Sequence, residues 1–306
     1  MNRVKNYIRY RCEKVTSIIS QENKHRRAWR IRNNCIFSDS KRLTEKNKVN
    51  LHYWQRSDGG KNLGYDLSPV ICDYLCRENG IDSSRIQEKT KHLYAIGSIL
   101  GFGCQNATVW GSGVLEPYRL YKRNIKSAKL DVRAVRGPLT REYLLKMGVT
   151  CPAVYGDPAI LMPYIYQPAS YCPKNAVSVI YHYAHRLDVP EGMKEISISA
   201  DDYKMVIDEI IASRIIISSS LHGIILAETY GVPAIYLNEQ GNVPFKFKDY
   251  YYSTGRYNIP VIRSVKDYRG VEPAPLPCLR EMQTMLIQSF PTDIWEQTIN
   301  HAKQRK

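Results

Sequence analysis

The sequence predicts an α/β protein whose two parallel-sheet halves face each other across a cleft. Three observations carry this expectation. Past residue 48, short apolar runs alternate with amphipathic stretches, as βαβ units require. The alternation breaks at a proline-rich bridge, Pro163–Pro173, and then resumes. The 306 residues, 43% hydrophobic and 24% charged, suffice for two modest domains with a sizeable core, and they exclude a disordered, collagenous or low-complexity chain. The expected divisions are a basic N-terminal arm or helix (1–46), a first α/β half (47–168), a second (169–270) and closing C-terminal helices (271–306).

In the first half, strands are expected near Leu51–Trp54, Leu93–Ile96, Thr108–Trp110 and Val132–Val135, with helices near Ser68–Glu78 and Pro138–Met147. Pro69 and Pro138 suit first-turn positions, where the missing N–H is harmless; Gly80 and Gly148 suit C-terminal caps. In the second half, strands are expected near Val177–Tyr181, Glu195–Ser197, Ile215–Ser218 and Ala234–Leu237, with helices near Ala200–Ala212 and Leu221–Tyr230. Two closing helices are read at Leu279–Ser289 and Thr292–His301. In such folds ligands gather at the carboxyl ends of the strands, so the loops there are the candidates for function.

Charge is unevenly spread. The chain carries 44 Lys+Arg against 29 Asp+Glu, a net of +15, and residues 1–50 hold 14 bases and four acids, a net of +10. Such an arm suits a polyanion or an anionic leaflet, and the spacing of Val4, Ile8, Val15, Ile18 and Ile19 favours an interfacial helix over nucleic-acid binding. No run approaches the length of a spanning helix, and MNRVKNYIRYRCEKV has no apolar leader segment, so a cytoplasmic protein at the inner face of the membrane is expected. The eight cysteines (12, 35, 72, 76, 104, 151, 172, 278) are scattered and read as reduced thiols; no metal site is expected from them or from His182 and His185.

Three strand-end loops stand out. Gly59-Gly60-Lys61-Asn62-Leu63-Gly64-Tyr65-Asp66 is a glycine-rich turn opening a helix, suited to an anion or polyol, or simply a flexible turn with Asp66 as N-cap. Arg133-Ala134-Val135-Arg136-Gly137-Pro138 puts a guanidinium beside a helix start, where it pairs with a carboxylate or phosphate ligand or forms a surface salt bridge. Ser218-Ser219-Ser220-Leu221-His222-Gly223 follows a very apolar strand and sets His222 at a helix N-terminus, placed to donate to an anion or move a proton. No GxSxG elbow or nucleophile triad is present, which disfavours hydrolysis.

Taken together, these pieces resemble the polysaccharide pyruvyl transferase family. The matching stretches are Asn62-Leu63-Gly64-Tyr65-Asp66-Leu67-Ser68-Pro69, Val109-Trp110-Gly111-Ser112-Gly113, Val135-Arg136-Gly137-Pro138-Leu139-Thr140, Tyr155-Gly156-Asp157-Pro158-Ala159 and Ser218–Gly223 followed by Ala227-Glu228-Thr229-Tyr230-Gly231-Val232-Pro233. They fall in the family's order over about residues 50–240. The resemblance implies a GT-B-like pair of Rossmann-like domains, phosphoenolpyruvate as donor, no further cofactor, and as acceptor a sugar of a polysaccharide or of a lipid-linked oligosaccharide carried on a polyprenyl diphosphate; the product would be a pyruvate ketal, with phosphate released. It implies His222 and Asp66 as catalytic residues. Arg136, Arg133, Ser220, Leu221 and Gly223 would bind the donor, and Asn62, Gly64 and His182 the acceptor. Some members carry Arg where this chain has Ser220, so the donor's second cation would come from elsewhere. The loop Asn238–Asp249 and the cluster Tyr250-Tyr251-Tyr252 offer an acceptor wall or core packing; galactose with a 4,6-bridged ketal is the family habit. The alternatives are a GT-B glycosyltransferase using a nucleotide sugar and a non-enzymatic binder of anionic glycan or nucleic acid.

Overall fold

The computed structural model describes residues 49–54, 60–81, 91–100, 107–117, 125, 129–169, 173–183, 189–200 and 202–295. The basic arm, the Val4–Ile19 helix, Gly59, His185, the cysteines at 12, 35, 104 and 172, and the end of the last expected helix lie outside them. The first half runs β1 (Val49–His52), α1 (Leu63–Glu78), β2 (Lys91–Tyr94), β3 (Ala107–Trp110), β4 (Leu130–Ala134) and α2 (Pro138–Lys146). A 3-10 turn at Pro158–Tyr164 leads to the second half: β5 (Asn175–Ile180), β6 (Lys194–Glu195), α3 (Tyr203–Ile211), β7 (Ser213–Ser218), α4 (Leu221–Thr229), β8 (Ala234–Leu237), α5 (Phe245–Ser253) and β9 (Val261–Ile262). The helix α6 (Arg280–Gln288) follows. The sheets are β1-β2-β3-β4 and β6-β5-β7-β8-β9, and every strand pair in them is parallel.

The second sheet shows why the strands read as continuous apolar runs. Along β7, Ile216 packs into the core shared with the helices and Ile217 into a smaller cluster with Val177, Val179 and Ile235, so both faces are covered. In α1, Leu63, Leu67, Ile71 and Leu75 recur every fourth residue and are all buried. Each such side chain contributes about 1.5–3 kcal/mol on burial. The same core takes in Ile224 and Ile225 of α4, so one apolar mass underlies both sheets.

Several elements depart from the sequence reading. α1 begins at Leu63, five residues before Ser68, because the Leu63 N–H donates to the Ile198 carbonyl of the second half at 2.9 Å. That bond satisfies one of the helix's orphan amides from outside its own sequence. Pro69 therefore falls inside the helix rather than in its first turn, where the missing N–H leaves the Tyr65 carbonyl without its helical donor. Asn62 is the N-cap residue, and Asp66 accepts from its backbone N–H at 2.9 Å. Residues 245–253, read as the end of a loop and an aromatic cluster, form α5, whose first amide, Phe245 N–H, donates to Glu116 of the first half at 3.0 Å. The described part of the last expected helix is a 3-10 turn, Thr292–Ile294. α6 returns to the first sheet, where the Trp110 indole donates to the Leu286 carbonyl at 2.9 Å. Cys72, Cys76 and Cys151 are buried free thiols and Cys278 an exposed one. No helix among the described residues is long and apolar enough to cross a membrane.

Candidate active site

The strand-end loops of both sheets meet at one seam, and glycines set how closely they meet. A Cβ on Gly64, in the first turn of α1, would lie 1.9 Å from His222 Nδ1. One on Gly113 would lie 2.4 Å from the Arg136 guanidinium carbon, and one on Gly137 would lie 2.0 Å from the Asp249 carbonyl oxygen. Gly223 is spared a similar clash with the Ser218 hydroxyl at 2.4 Å, so the turn from β7 into α4 closes tightly.

His222 stands in the first turn of α4 with its side chain 10% exposed. Its Nε2 faces Asp157 Oδ2 at 3.6 Å, and both atoms are buried without a hydrogen-bond partner among the described residues. The other carboxylate oxygen, Oδ1, caps the 3-10 turn by accepting from Ala159 N–H at 3.1 Å. Tyr65 packs edge-on to the imidazole with ring centroids 5.5 Å apart. Burial pushes the Tyr65 phenol up to about 12, against the opposing pull of Arg136, so it remains protonated through neutral pH. Trp54, half-buried after β1, lies 5.4 Å from both Tyr65 and Tyr183, which follows β5. An aromatic bridge thus spans the two halves beside His222.

Arg136 is wholly buried, and each arm of its guanidinium is engaged. Nε donates to Asp249 Oδ2 at 3.1 Å, Nη1 to the Ser98 hydroxyl at 2.5 Å and Nη2 to the Val114 carbonyl at 2.7 Å. Asp249, on α5 and equally buried, also accepts from the Thr140 amide at 2.9 Å and its hydroxyl at 2.6 Å. Nearby, on the first turn of α5, Lys246 is half-buried and has no ion pair or hydrogen bond among the described residues. Its burial, and secondarily the Arg136 charge, hold the ammonium down to about 8, while Glu116 opposes the shift.

Of the residues expected at the site, His222, Gly64, Asn62, Asp66, Ser220 and Leu221 come together where α1 and α4 begin. Ser220 is the N-cap of α4, but its side chain makes no cap bond, and its amide donates to the Ser218 hydroxyl at 3.0 Å. Leu221 is the buried first residue of α4 and Gly223 serves close packing. His182, half-buried after β5, donates its backbone N–H to the Ser219 hydroxyl oxygen at 2.8 Å, and its ring lies tilted against Tyr183 with centroids 4.5 Å apart. Arg136 reaches the seam as a buried ion pair. Arg133 makes the surface salt bridges instead, to Asp131 at 2.7 Å and Asp293 at 2.9 Å. Tyr250 and Tyr251 lie in the core, where the Tyr250 hydroxyl donates to Glu228 at 2.6 Å.

Asp157, Asp249 and Lys246 were given no role from sequence. Asp157 had a legible signal, since Asp followed by Pro is the start of a capped helical turn. Asp249 had none, because its partner lies 113 positions away.

Two parallel-sheet α/β halves meeting around a His–Asp pair and a buried arginine form a GT-B-like fold. Residues 91–241 match the model of the polysaccharide pyruvyl transferase family. An uncharacterized protein of Acanthamoeba polyphaga mimivirus is 30% identical over 173 residues, which is 52% of this chain and 58% of that protein; the chain therefore spans less than two thirds of the relative's length. Among solved structures, a functionally uncharacterized protein from Klebsiella pneumoniae subsp. pneumoniae aligns with a TM-score of 0.48 and 14% identity, covering 76% of this chain and 98% of the other.

Proposed function

We propose that the protein transfers pyruvate from phosphoenolpyruvate to a sugar of a polysaccharide or lipid-linked oligosaccharide, forming a ketal and releasing phosphate. The observation that carries this reading is the convergence of the family's motifs on one seam, with His222 between Gly64 and Asp157. Phosphoenolpyruvate brings two anionic groups. The uncapped first turn of α4, at Ser220, Leu221 and Gly223, suits one of them, and Lys246, which makes no ion pair among the described residues, is a cation to meet the other. Lys246 thereby takes the part of the arginine absent at Ser220. Arg136 acts from behind the donor pocket, holding the Ser98 and Val114 loops in place through its three hydrogen bonds.

The chemistry balances with acid–base groups alone. Both acceptor hydroxyls form bonds to the same donor carbon, one hydroxyl proton ends on the methylene carbon to make the methyl group, and the other leaves with phosphate. His222 is placed for one of these transfers. Asp66, Asn62 and His182 form the acceptor side, with the Trp54–Tyr183 faces suited to a sugar ring. The basic residues of 1–46 hold the protein at an anionic leaflet, where a polyprenyl-linked acceptor would lie.

Phosphate release from phosphoenolpyruvate, assayed with a panel of lipid-linked and synthetic glycosides and followed by product mass, tests the reading. Release that depends on the acceptor, with a mass gain of one pyruvate less one water, supports it. Thermal stabilisation by nucleotide sugars but not by phosphoenolpyruvate overturns it. Deleting residues 1–45 is expected to abolish binding to anionic vesicles while sparing soluble acceptors; unchanged vesicle binding removes the membrane role.

A further inference from the structure

We infer that Asp157 is a positioning residue that keeps the His222 proton on Nε2 and so makes Nδ1 the reactive nitrogen. The chemistry at Nδ1 rests on the pyruvyl-transfer reading; the tautomer does not. Two buried polar atoms without partners are rare in a folded protein, and here they face each other: Asp157 Oδ2 and His222 Nε2, 3.6 Å apart. A small turn of the ring brings Nε2–H within hydrogen-bond range of the carboxylate. No other described residue competes for Oδ2, because Asp157 makes its one hydrogen bond, to Ala159 N–H, through Oδ1.

The opposite edge of the imidazole packs on the Gly64 backbone, so closely that a Cβ there would lie 1.9 Å from Nδ1. Unlike Nε2, Nδ1 is not among the fully buried unpartnered atoms, and the side chain keeps 10% of its surface exposed. The groups packed on the ring are Tyr65 and Gly64 from α1 and Asp157, which caps the 3-10 turn. Arg136 and Tyr183 act on Tyr65, whose phenol stays neutral. Asp157 is therefore the carboxylate that meets the ring directly. In the proposed reaction, Nδ1 takes the proton of the second acceptor hydroxyl as its oxygen bonds to the donor carbon. The carbon–oxygen bond to phosphate breaks, the electron pair stays on the phosphate oxygen, and the ring passes the proton to that phosphate. Between these events Asp157 faces an imidazolium and stabilises it.

The test is D157N, chosen because the amide oxygen can keep the Ala159 cap. Its NH2 group must then face His222 Nε2 as a donor, which drives the ring proton onto Nδ1. Nitrogen-15 spectra of histidine-labelled protein, with the His222 signal among the seven histidines assigned by its loss in H222Q, read the tautomer without any substrate. We expect Nε2–H in the wild type and predominantly Nδ1–H in D157N. The melting temperature should stay within a few degrees, and kcat should fall roughly 10²- to 10⁴-fold with donor KM changed less than about threefold. A wild-type ring protonated on Nδ1, or a tautomer indifferent to D157N, overturns the inference; the wild-type spectrum alone decides if D157N does not fold. If the tautomer switches as expected while neither protein releases phosphate from phosphoenolpyruvate, the pair stands and the pyruvyl-transfer reading falls.

Discussion

Replacing Asp249 with alanine should be the most damaging single change at the seam that touches no substrate. The carboxylate accepts two bonds from Thr140 and one from Arg136, and both charged groups are wholly buried. Removing one partner of a buried ion pair costs about 3–5 kcal/mol, because the remaining charge has lost both water and counter-ion. Arg136 keeps its bonds to Ser98 and Val114, which favours the low end of that range. The orphaned Thr140 amide adds about 1–3 kcal/mol. A loss of about 4–6 kcal/mol results, a large share of the roughly 5–15 kcal/mol that stabilises a folded protein. Urea unfolding followed by tryptophan fluorescence measures it. The double replacement R136M/D249L removes both charges together and should cost less than D249A alone. A loss under about 1 kcal/mol in D249A, or a double variant as unstable as the sum of the single ones, would refute the clamp.

Three further outcomes follow from the same geometry. Lys246 ionises at about 8 in the folded protein against 10.5 for an ordinary lysine, so the folded state sheds its proton first and this group makes stability rise with pH between about 8 and 10.5; K246M should flatten that rise in urea midpoints measured across the window. If Lys246 also meets the donor, the KM for phosphoenolpyruvate should climb over the same interval as the ammonium is lost. G64A should cut kcat at least tenfold, because its Cβ must displace His222 Nδ1, and a melt showing a folded protein of normal activity would contradict the packing. R133A should change stability by less than about 1 kcal/mol and leave the donor KM unaltered, since Arg133 sits in an exposed cluster with Asp131 and Asp293.

What could be read from the chain and what could not divide along the range of the interactions involved. The strands β5, β7 and β8 and the helices α2 and α4 were legible within a few residues, because unbroken apolar runs and proline or glycine punctuation are local signals. The start of α1 was not, because the Ile198 carbonyl that receives its first amide belongs to the other half. α5 was missed for a similar reason: its amphipathic pattern is weak, its N-terminus is satisfied by Glu116, and Tyr250 and Tyr251 are buried by contacts remote in sequence. At the site, His222 could be singled out from its strand-end serines and glycine. The state of Arg136 could not, since an arginine beside a helix start reads the same whether it awaits a ligand or is already paired with a carboxylate 113 residues away.

The motif glycines show the same division. Read locally, the glycine-rich loop that holds Gly64 suggests a flexible turn or backbone donors for an anion. In the fold, Gly64, Gly113 and Gly137 are each the place where a buried polar side chain or its backbone comes to rest: His222 on Gly64, Arg136 on Gly113 and Asp249 on Gly137. Two of these contacts join residues more than 100 positions apart, so the glycines act chiefly by omission, leaving the volume that the other half of the molecule fills. A Cβ at any of them would come within 2.4 Å of its neighbour, closer than side-chain carbons approach other atoms, and the seam would have to open. On that reasoning, alanine at Gly113, which meets only side-chain atoms of Arg136, should cost less stability than alanine at Gly137, which meets the Asp249 backbone, because a side chain yields more readily than a helix. Urea midpoints ordered the other way would mean that the guanidinium, held by three hydrogen bonds, is the stiffer of the two.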